Sequence, residues 1–297
     1  MVVAAFAAAK VNLYLHVIGR RPDGYHLLDS LIAFADIGDR LTAAPSAILS
    51  LEISGPEAAN LAAARDDNLV LRAARQLAAC TGTTLGAALH LEKTLPIAAG
   101  LGGGSSDAAA ALRALAALWQ VSIDEAAMYR LGAKLGADLA VCLHARAAWV
   151  GGIGERVEPA GDLPPAGILL ANPRRELPTG AVFAARDGPF GEVGRFAPMP
   201  GDALGLAQAL MTCRNDLTDA ASGLVPEISS VLARLTLLPG ALLARMSGSG
   251  ATCFALFPDR RAAADARAAL AAVEPRWWCA AGSLVAGGLI AGDPRSR

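Results

Sequence analysis

The sequence predicts an α+β protein of two domains. Strand-like and helix-like segments are mixed in both halves without the regular repeat of a parallel α/β sheet. At roughly 100 to 200 residues per domain, 297 residues suggest two. A break rich in Gly and Pro, from Gly161 to Pro165, divides an N-terminal domain, 1–162, from a C-terminal one, 163–297.

Val11, Leu13, Leu15 and Val17 alternate with Lys10, Asn12, Tyr14 and His16, the period of a strand with one polar face, so Lys10 and Asn12 point the same way. Arg21-Pro22-Asp23-Gly24 is a turn that delivers Tyr25 and His26. Apolar alternation returns at 48–53, a helix is expected over 68–80 opened by Asp66 and Asp67, and a strand over 87–92. After a loop at 96–104, the Ala- and Leu-rich stretch 105–118 predicts a helix with a serine N-cap candidate and Asp107 in its first turn. A second helix, 124–135, stops at Gly136, and 139–143 and 147–150 read as strands before the glycine turn at 151–154. Beyond the break come a strand at 168–171, a Pro- and Gly-rich stretch at 173–200, short helices, apolar segments 242–246 and 253–257 around Ser247-Gly248-Ser249-Gly250, a helix at 260–272 and terminal strands.

Lys+Arg 26 against Asp+Glu 27 leaves a net charge of -1 with no basic cluster, which argues against nucleic-acid binding. Hydrophobic residues reach 54%, yet no apolar run spans a bilayer; the best stretch, 279–292, holds Gly282, Gly287 and Gly288 and reads as buried strand with a turn. The N-terminus has no basic n-region and so no secretion signal. Five cysteines without a Cys-x-x-Cys pair, and four dispersed histidines, point to reduced thiols in a cytoplasmic protein without a structural metal.

The densest signal is Pro96-Ile97-Ala98-Ala99-Gly100-Leu101-Gly102-Gly103-Gly104-Ser105-Ser106-Asp107, backbone nearly free of side chains directly ahead of a helix. Its N–H groups, with the helix N-terminal partial charge behind them, make an anion site, and Ser105 and Ser106 add hydroxyls. The loop has no Lys for the Walker pattern, and its glycines do not follow the dinucleotide fingerprint. From the residues alone, a phosphate-binding enzyme follows.

This loop resembles the second signature of the small-molecule kinases grouped with galactokinase, homoserine kinase, mevalonate kinase and phosphomevalonate kinase. Within that group, Ala9-Lys10-Val11-Asn12-Leu13-Tyr14-Leu15-His16 followed by Gly19-Arg20-Arg21-Pro22-Asp23-Gly24-Tyr25-His26 is similar to the branch acting on 4-diphosphocytidyl-2-C-methyl-D-erythritol. Gly136-Ala137-Asp138, Pro178-Thr179 with Phe183, Asn215-Asp216-Leu217 and Ser247-Gly248-Ser249-Gly250-Ala251 follow in the family's order. The resemblance implies a two-domain kinase fold: an N-terminal nucleotide-binding domain and a ferredoxin-like C-terminal domain. It also implies ATP with its Mg²⁺, and phosphorylation of the 2-hydroxyl of that cytidine-diphosphate substrate. A kinase of another small alcohol and a non-catalytic nucleotide-binding regulator are the alternatives.

Phosphoryl transfer needs an oriented alcohol, a proton acceptor and positive charge. The resemblance assigns the base to Asp138. Lys10, one of only three lysines, sits where its ammonium would hold that carboxylate ionised, and Asn12 shares its face. For the cytosine the resemblance implies a sandwich of Tyr25 and Phe183, with His26 reading the ring's edge and Thr179 lining the site. Three points stay open. Ser247–Gly250 either donates near the phosphates or is a hairpin turn. Lys93 either helps a phosphate or ends a strand in solvent, and Asp107 either supports the helix or acts through Mg²⁺; the metal's ligands are not named by the sequence.

Overall fold

The computed structural model describes residues 1–59 and 68–285. Two sheets organise the chain, each with helices against it. The first unit runs β1 (Val3–Arg20), β2 (His26–Ser46), β3 (Leu49–Ser54), α1 (Leu69–Thr81), β4 (Gly86–Glu92), α2 (Gly103–Trp119), α3 (Glu125–Leu135), α4 (Ala137–His144), β5 (Ala148–Gly152) and β6 (Arg156–Pro159). The second runs β7 (Gly167–Asn172), α5 (Thr179–Ala185), α6 (Ala203–Met211), α7 (Thr218–Leu224), α8 (Glu227–Thr236), β8 (Leu243–Met246), β9 (Cys253–Phe257), α9 (Arg260–Val273) and β10 (Trp278–Ser283).

In the first sheet the long β2 is the spine, pairing antiparallel with β1, β4 and β5, while β3 joins β4 in parallel. The second sheet has the order β10-β7-β9-β8, all antiparallel, with α9 crossing from β9 to β10; this is the ferredoxin-like βαββαβ arrangement. The α+β class and both halves of the expected architecture are present.

Local chemistry explains most boundaries. The Asn68 side chain accepts from Val70 N–H to start α1, and left-handed Gly82 ends it; Asp66 and Asp67 lie outside the described residues. Asp124 and Asp259 cap α3 and α9 in the same way. Two expectations are corrected. Residues 139–143 lie in helix α4, because extended Gly136 ends α3 and starts a new helix at once, and a short apolar run has no period of its own. Helix α2 begins at Gly103, with Gly102 as an N-cap lacking a side-chain bond, so no serine caps it and Asp107 falls beyond the first turn.

The sheets are tied together. Val285 N–H donates to Phe34 O, Ser283 N–H to Asp36 Oδ1 at 2.7 Å, and Trp278 Nε1 to Thr94 O at 3.0 Å. Tyr14, Leu31, Ile168, Leu206 and Phe254 pack in one core that spans both units. Among the described residues, no helix is long and apolar enough to cross a membrane.

Candidate active site

A cleft of about 860 Å³ opens where β1, β2, the glycine loop, α4, α5 and the β8–β9 loop meet. Lys10 and Asn12 face it from β1, as their two-residue spacing requires. The alternation then breaks: Asn12 pairs with Ile32 but Tyr14 with Leu31, so Leu13 is an extra residue in the ladder. The bulge turns Leu15 into the cleft and Tyr14 into the core, where its hydroxyl donates to Asp29 at 2.6 Å.

Lys10 is almost sealed, its side chain 7% exposed, and its Nζ donates to Asp138 Oδ1 at 3.1 Å and to Asn12 Oδ1 at 3.3 Å. Asp138 sits in the first turn of α4 with a side chain 52% exposed. The pair thus joins a fixed ammonium to an open carboxylate. Asn12 is held in turn by Nδ2 donating to Ser30 Oγ at 2.8 Å.

The glycine loop is strapped to β1 by Lys10 N–H donating to Leu101 O at 2.9 Å. Gly100 and Gly102 take positive φ of 75° and 62°, which lets the chain coil tightly into α2. With no side chain capping this helix, its first N–H groups at Gly103, Gly104 and Ser105 border the cleft. Ala98, Ala99, Gly100 and Gly102 line it as well. Pro96, Ile97, Leu101 and Ser106 do not: Leu101 is core, and the Ser106 hydroxyl expected at the phosphates donates instead to Ala8 O at 2.7 Å.

Ser247–Gly250 connects β8 to β9 and also clasps the loop. Ser247 Oγ donates to Gly100 O at 3.0 Å while accepting from Asn12 N–H at 3.1 Å, and Thr252 N–H donates to Ala99 O at 3.2 Å. Asn215 Nδ2 braces this turn through Met246 O and Gly248 O, both at 2.8 Å. Gly248 and Ser249 line the cleft, and Ser249 Oγ meets Thr179 Oγ1 at 2.8 Å.

Behind the loop lies a second lysine site. Lys93, expected in solvent or at a phosphate, is 3% exposed and pairs with Asp39 Oδ2 at 2.5 Å and Asp107 Oδ2 at 2.7 Å. Asp39 Oδ1 accepts from Thr94 and Leu95 N–H at 2.6 and 2.8 Å. Asp107 Oδ1 is buried without a partner among the described residues. Burial pushes the Asp107 carboxyl up to about 7, against the pull of Lys93. Asp107 is therefore committed to the interior, paired with Lys93. No three His, Cys, Asp or Glu side chains gather as a metal site among the described residues.

At the other end, the rings of His26 and Phe183 stack at 5.3 Å and 25°, and Tyr25, 62% exposed, stands at the rim. The stacked pair is His26 with Phe183. Burial, with Arg20 and Arg186 nearby, holds the His26 imidazole below its ordinary pKa and hence neutral at pH 7.

Models of the GHMP kinases N terminal domain and GHMP kinases C terminal match residues 68–146 and 197–275. A 4-diphosphocytidyl-2-C-methyl-D-erythritol kinase of Cereibacter sphaeroides is 54% identical over 291 residues, covering 95% of this chain and 99% of its own. The chain belongs to the 4-diphosphocytidyl-2-C-methyl-D-erythritol kinase family. A relative of the same name from Paramagnetospirillum magneticum is 50% identical over 279 residues, covering 94% and 97% of the two chains. A crystal structure of a 4-(cytidine 5'-diphospho)-2C-methyl-D-erythritol kinase superposes with a TM-score of 0.77 at 36% identity, covering 96% of this chain and 100% of the other. Homoserine kinase from Cytophaga hutchinsonii shares the fold at 17% identity, with a TM-score of 0.74 and coverage of 97% and 96%.

Of the residues expected from sequence, the cleft of this family member gathers Lys10, Asn12, Tyr25, His26, Asp138, Thr179, Phe183 and the loop from Ala98 to Ser105 apart from Leu101. Sequence reasoning missed Ser247 as the clasp and Asp39 as the partner of Lys93. A charged residue at Asp107, followed by the wholly apolar and buried run 108–112, was the one available signal for the latter.

Proposed function

We propose that the chain transfers the γ-phosphoryl group of ATP to the 2-hydroxyl of 4-diphosphocytidyl-2-C-methyl-D-erythritol, in the non-mevalonate route to isoprenoid precursors. The observation that carries this reading is the Lys10–Asp138 pair opening on the same cleft as the uncapped N-terminus of α2. Asp138 accepts the hydroxyl proton as the alcohol oxygen bonds to the γ-phosphorus, and the bond to the β–γ bridging oxygen breaks to release ADP. Lys10, paired with Asp138, polarises the hydroxyl and is itself oriented by Asn12. The loop from Ala98 to Ser105 cradles the phosphates through backbone N–H groups. His26, Phe183, Tyr25 and Thr179 receive the cytidine, with neutral His26 able to donate from one ring nitrogen and accept at the other.

Mg²⁺ binds few protein oxygens beside phosphate oxygens and water. The Ser105 hydroxyl on the cleft wall suits that need, and Asp107, tied to Lys93, does not. Bound with ATP, the ion neutralises charge on the phosphates. We place the reaction in the cytoplasm, where the five free cysteines stay reduced. We divide the domains between residues 162 and 163, in the segment between β6 and β7.

Turnover with ATP and a panel of alcohols, with and without the cytidine diphosphate moiety, tests the reading. Phosphorylation confined to the cytidyl compound supports it. Equal or preferred use of mevalonate or homoserine overturns it.

A further inference from the structure

Arg20 is the last residue of β1 and stands directly opposite His26 in the β1–β2 ladder. Opposed residues put their side chains on one face of the sheet, with Cβ atoms about 4.5–5.5 Å apart. Both line the cleft. Arg20 Nε donates to Gly24 O at 3.1 Å, which anchors the guanidinium on the turn that precedes Tyr25. Its two Nη groups make no hydrogen bond, and no carboxylate lies within ion-pair distance of it, among the described residues.

The cleft's other charges are answered. Lys10 is paired with Asp138, and Asp23 with Arg21 at 2.7 Å. Arg20 is thus the lining cation without an anion among the described residues, although its charge sits beside a histidine that it disfavours protonating. A guanidinium held by Nε with both Nη groups presented is the geometry that receives a phosphate through two parallel N–H···O bonds.

We propose that Arg20 binds the diphosphate of the cytidyl substrate, gripping the phosphate next to the ribose; this rests on the function proposed above. With the base at His26 and Phe183 and the reacting alcohol at Lys10 and Asp138, the diphosphate must bridge the two ends of the cleft. Arg20 stands at the base end of that span. It is a binding residue, remote from the transferred phosphoryl group, so it acts on substrate affinity and leaves the chemical step alone.

The test compares Arg20→Gln and Arg20→Lys with the parent, all verified as folded by thermal unfolding. Calorimetry measures affinity for cytidine, CMP and CDP, and steady-state kinetics measure KM for the cytidyl substrate and for ATP. The expected result is a roughly tenfold or greater loss of CDP and CMP affinity in Arg20→Gln, as for a lost charge-assisted hydrogen bond. Cytidine affinity, KM for ATP and kcat at saturation stay at the parent's values, and Arg20→Lys recovers part of the loss. Parent-like CDP binding by Arg20→Gln overturns the proposal. An equal loss for cytidine and CDP also overturns it, since Arg20 would then act through His26 or the base. If the parent itself neither binds CDP nor turns over the cytidyl substrate, the functional reading falls, and this proposal with it.

Discussion

Two lysine–aspartate sites flank the same glycine loop and differ chiefly in their access to water. In one, Lys10 is buried but Asp138 is half open to the cleft. In the other, Lys93, Asp39 and Asp107 are all sealed, with side chains no more than 4% exposed. Identical functional groups therefore support different work. An open carboxylate can reach a substrate and exchange a proton, whereas carboxylates closed around an ammonium are committed to each other, and losing one partner leaves the rest desolvated and uncompensated. Two adjacent glycines mark the border. A Cβ on Gly102 would lie 3.0 Å from Lys10 Cε, and one on Gly103 would lie 3.1 Å from Lys93 Nζ.

The sharpest way to separate the sites is to neutralise one charge in each. Asp138→Asn is expected to lower kcat by about 10²–10⁴, the usual contribution of a positioned base, with a melting temperature near the parent's. Steady-state kinetics and thermal unfolding decide it. A stability loss of the same free-energy size as the activity loss would erase the distinction.

Lys93→Met inverts the pattern. It leaves Asp39 and Asp107 in the interior without their cation and should cost about 3–5 kcal/mol of stability, read by denaturant unfolding. Adding Asp39→Asn and Asp107→Asn to it should restore part of that loss; no restoration would mean that Lys93 acts through its packing.

Valine at the border glycines should weaken ATP binding in both cases, with different second effects. Gly102→Val also forces a positive φ on a β-branched residue and displaces Lys10, so kcat falls too. Gly103→Val presses on the pinned Lys93, so stability falls too. Ala110→Val, deep in α2, serves as the contrast: about 1–3 kcal/mol of overpacking with ATP affinity kept.

The sealed site also shows itself as a slope. A carboxyl raised on folding from 3.8 to about 7 keeps its proton in the native state after the unfolded chain has lost it. Stability therefore falls as pH rises from about 4 towards 7 and levels above that. Asp107→Asn should flatten this window in urea titrations at several pH values; an unchanged slope would assign it to another group.

The open site was far more legible in the sequence than the sealed one. Lys10 and Asn12 announce a shared face by their spacing, the glycines announce an anion loop, and Asp138 follows a helix end. The resemblance to the kinases supplied the substrate. The sealed site joins Asp39, Lys93 and Asp107 through tertiary packing, and no local period reports that. The same reason hid β2: its stretch from Ser30 to Ala35 is buried throughout, beneath partners on both edges, so the alternation that marks a half-exposed strand is missing. Helix α4 was read as a strand because its apolar run is too short to show a helical period. The bulge at Leu13, which swaps Tyr14 and Leu15 between core and cleft, has no signature in the pattern either.

The clasp of Ser247 and Thr252 on Gly100 and Ala99 also sets a timetable for synthesis. Lys10, the glycine loop and Asp138 leave the ribosome early, yet the residues that hold the loop in shape come much later. At ~5–20 residues per second, the interval between Asp138 and Thr252 lasts roughly 6 to 23 s. During it the nascent chain carries Lys10, the glycine loop and Asp138 without the brace that holds the loop. A loop shaped by contacts made last is expected to gain its nucleotide affinity only once β9 has joined the sheet.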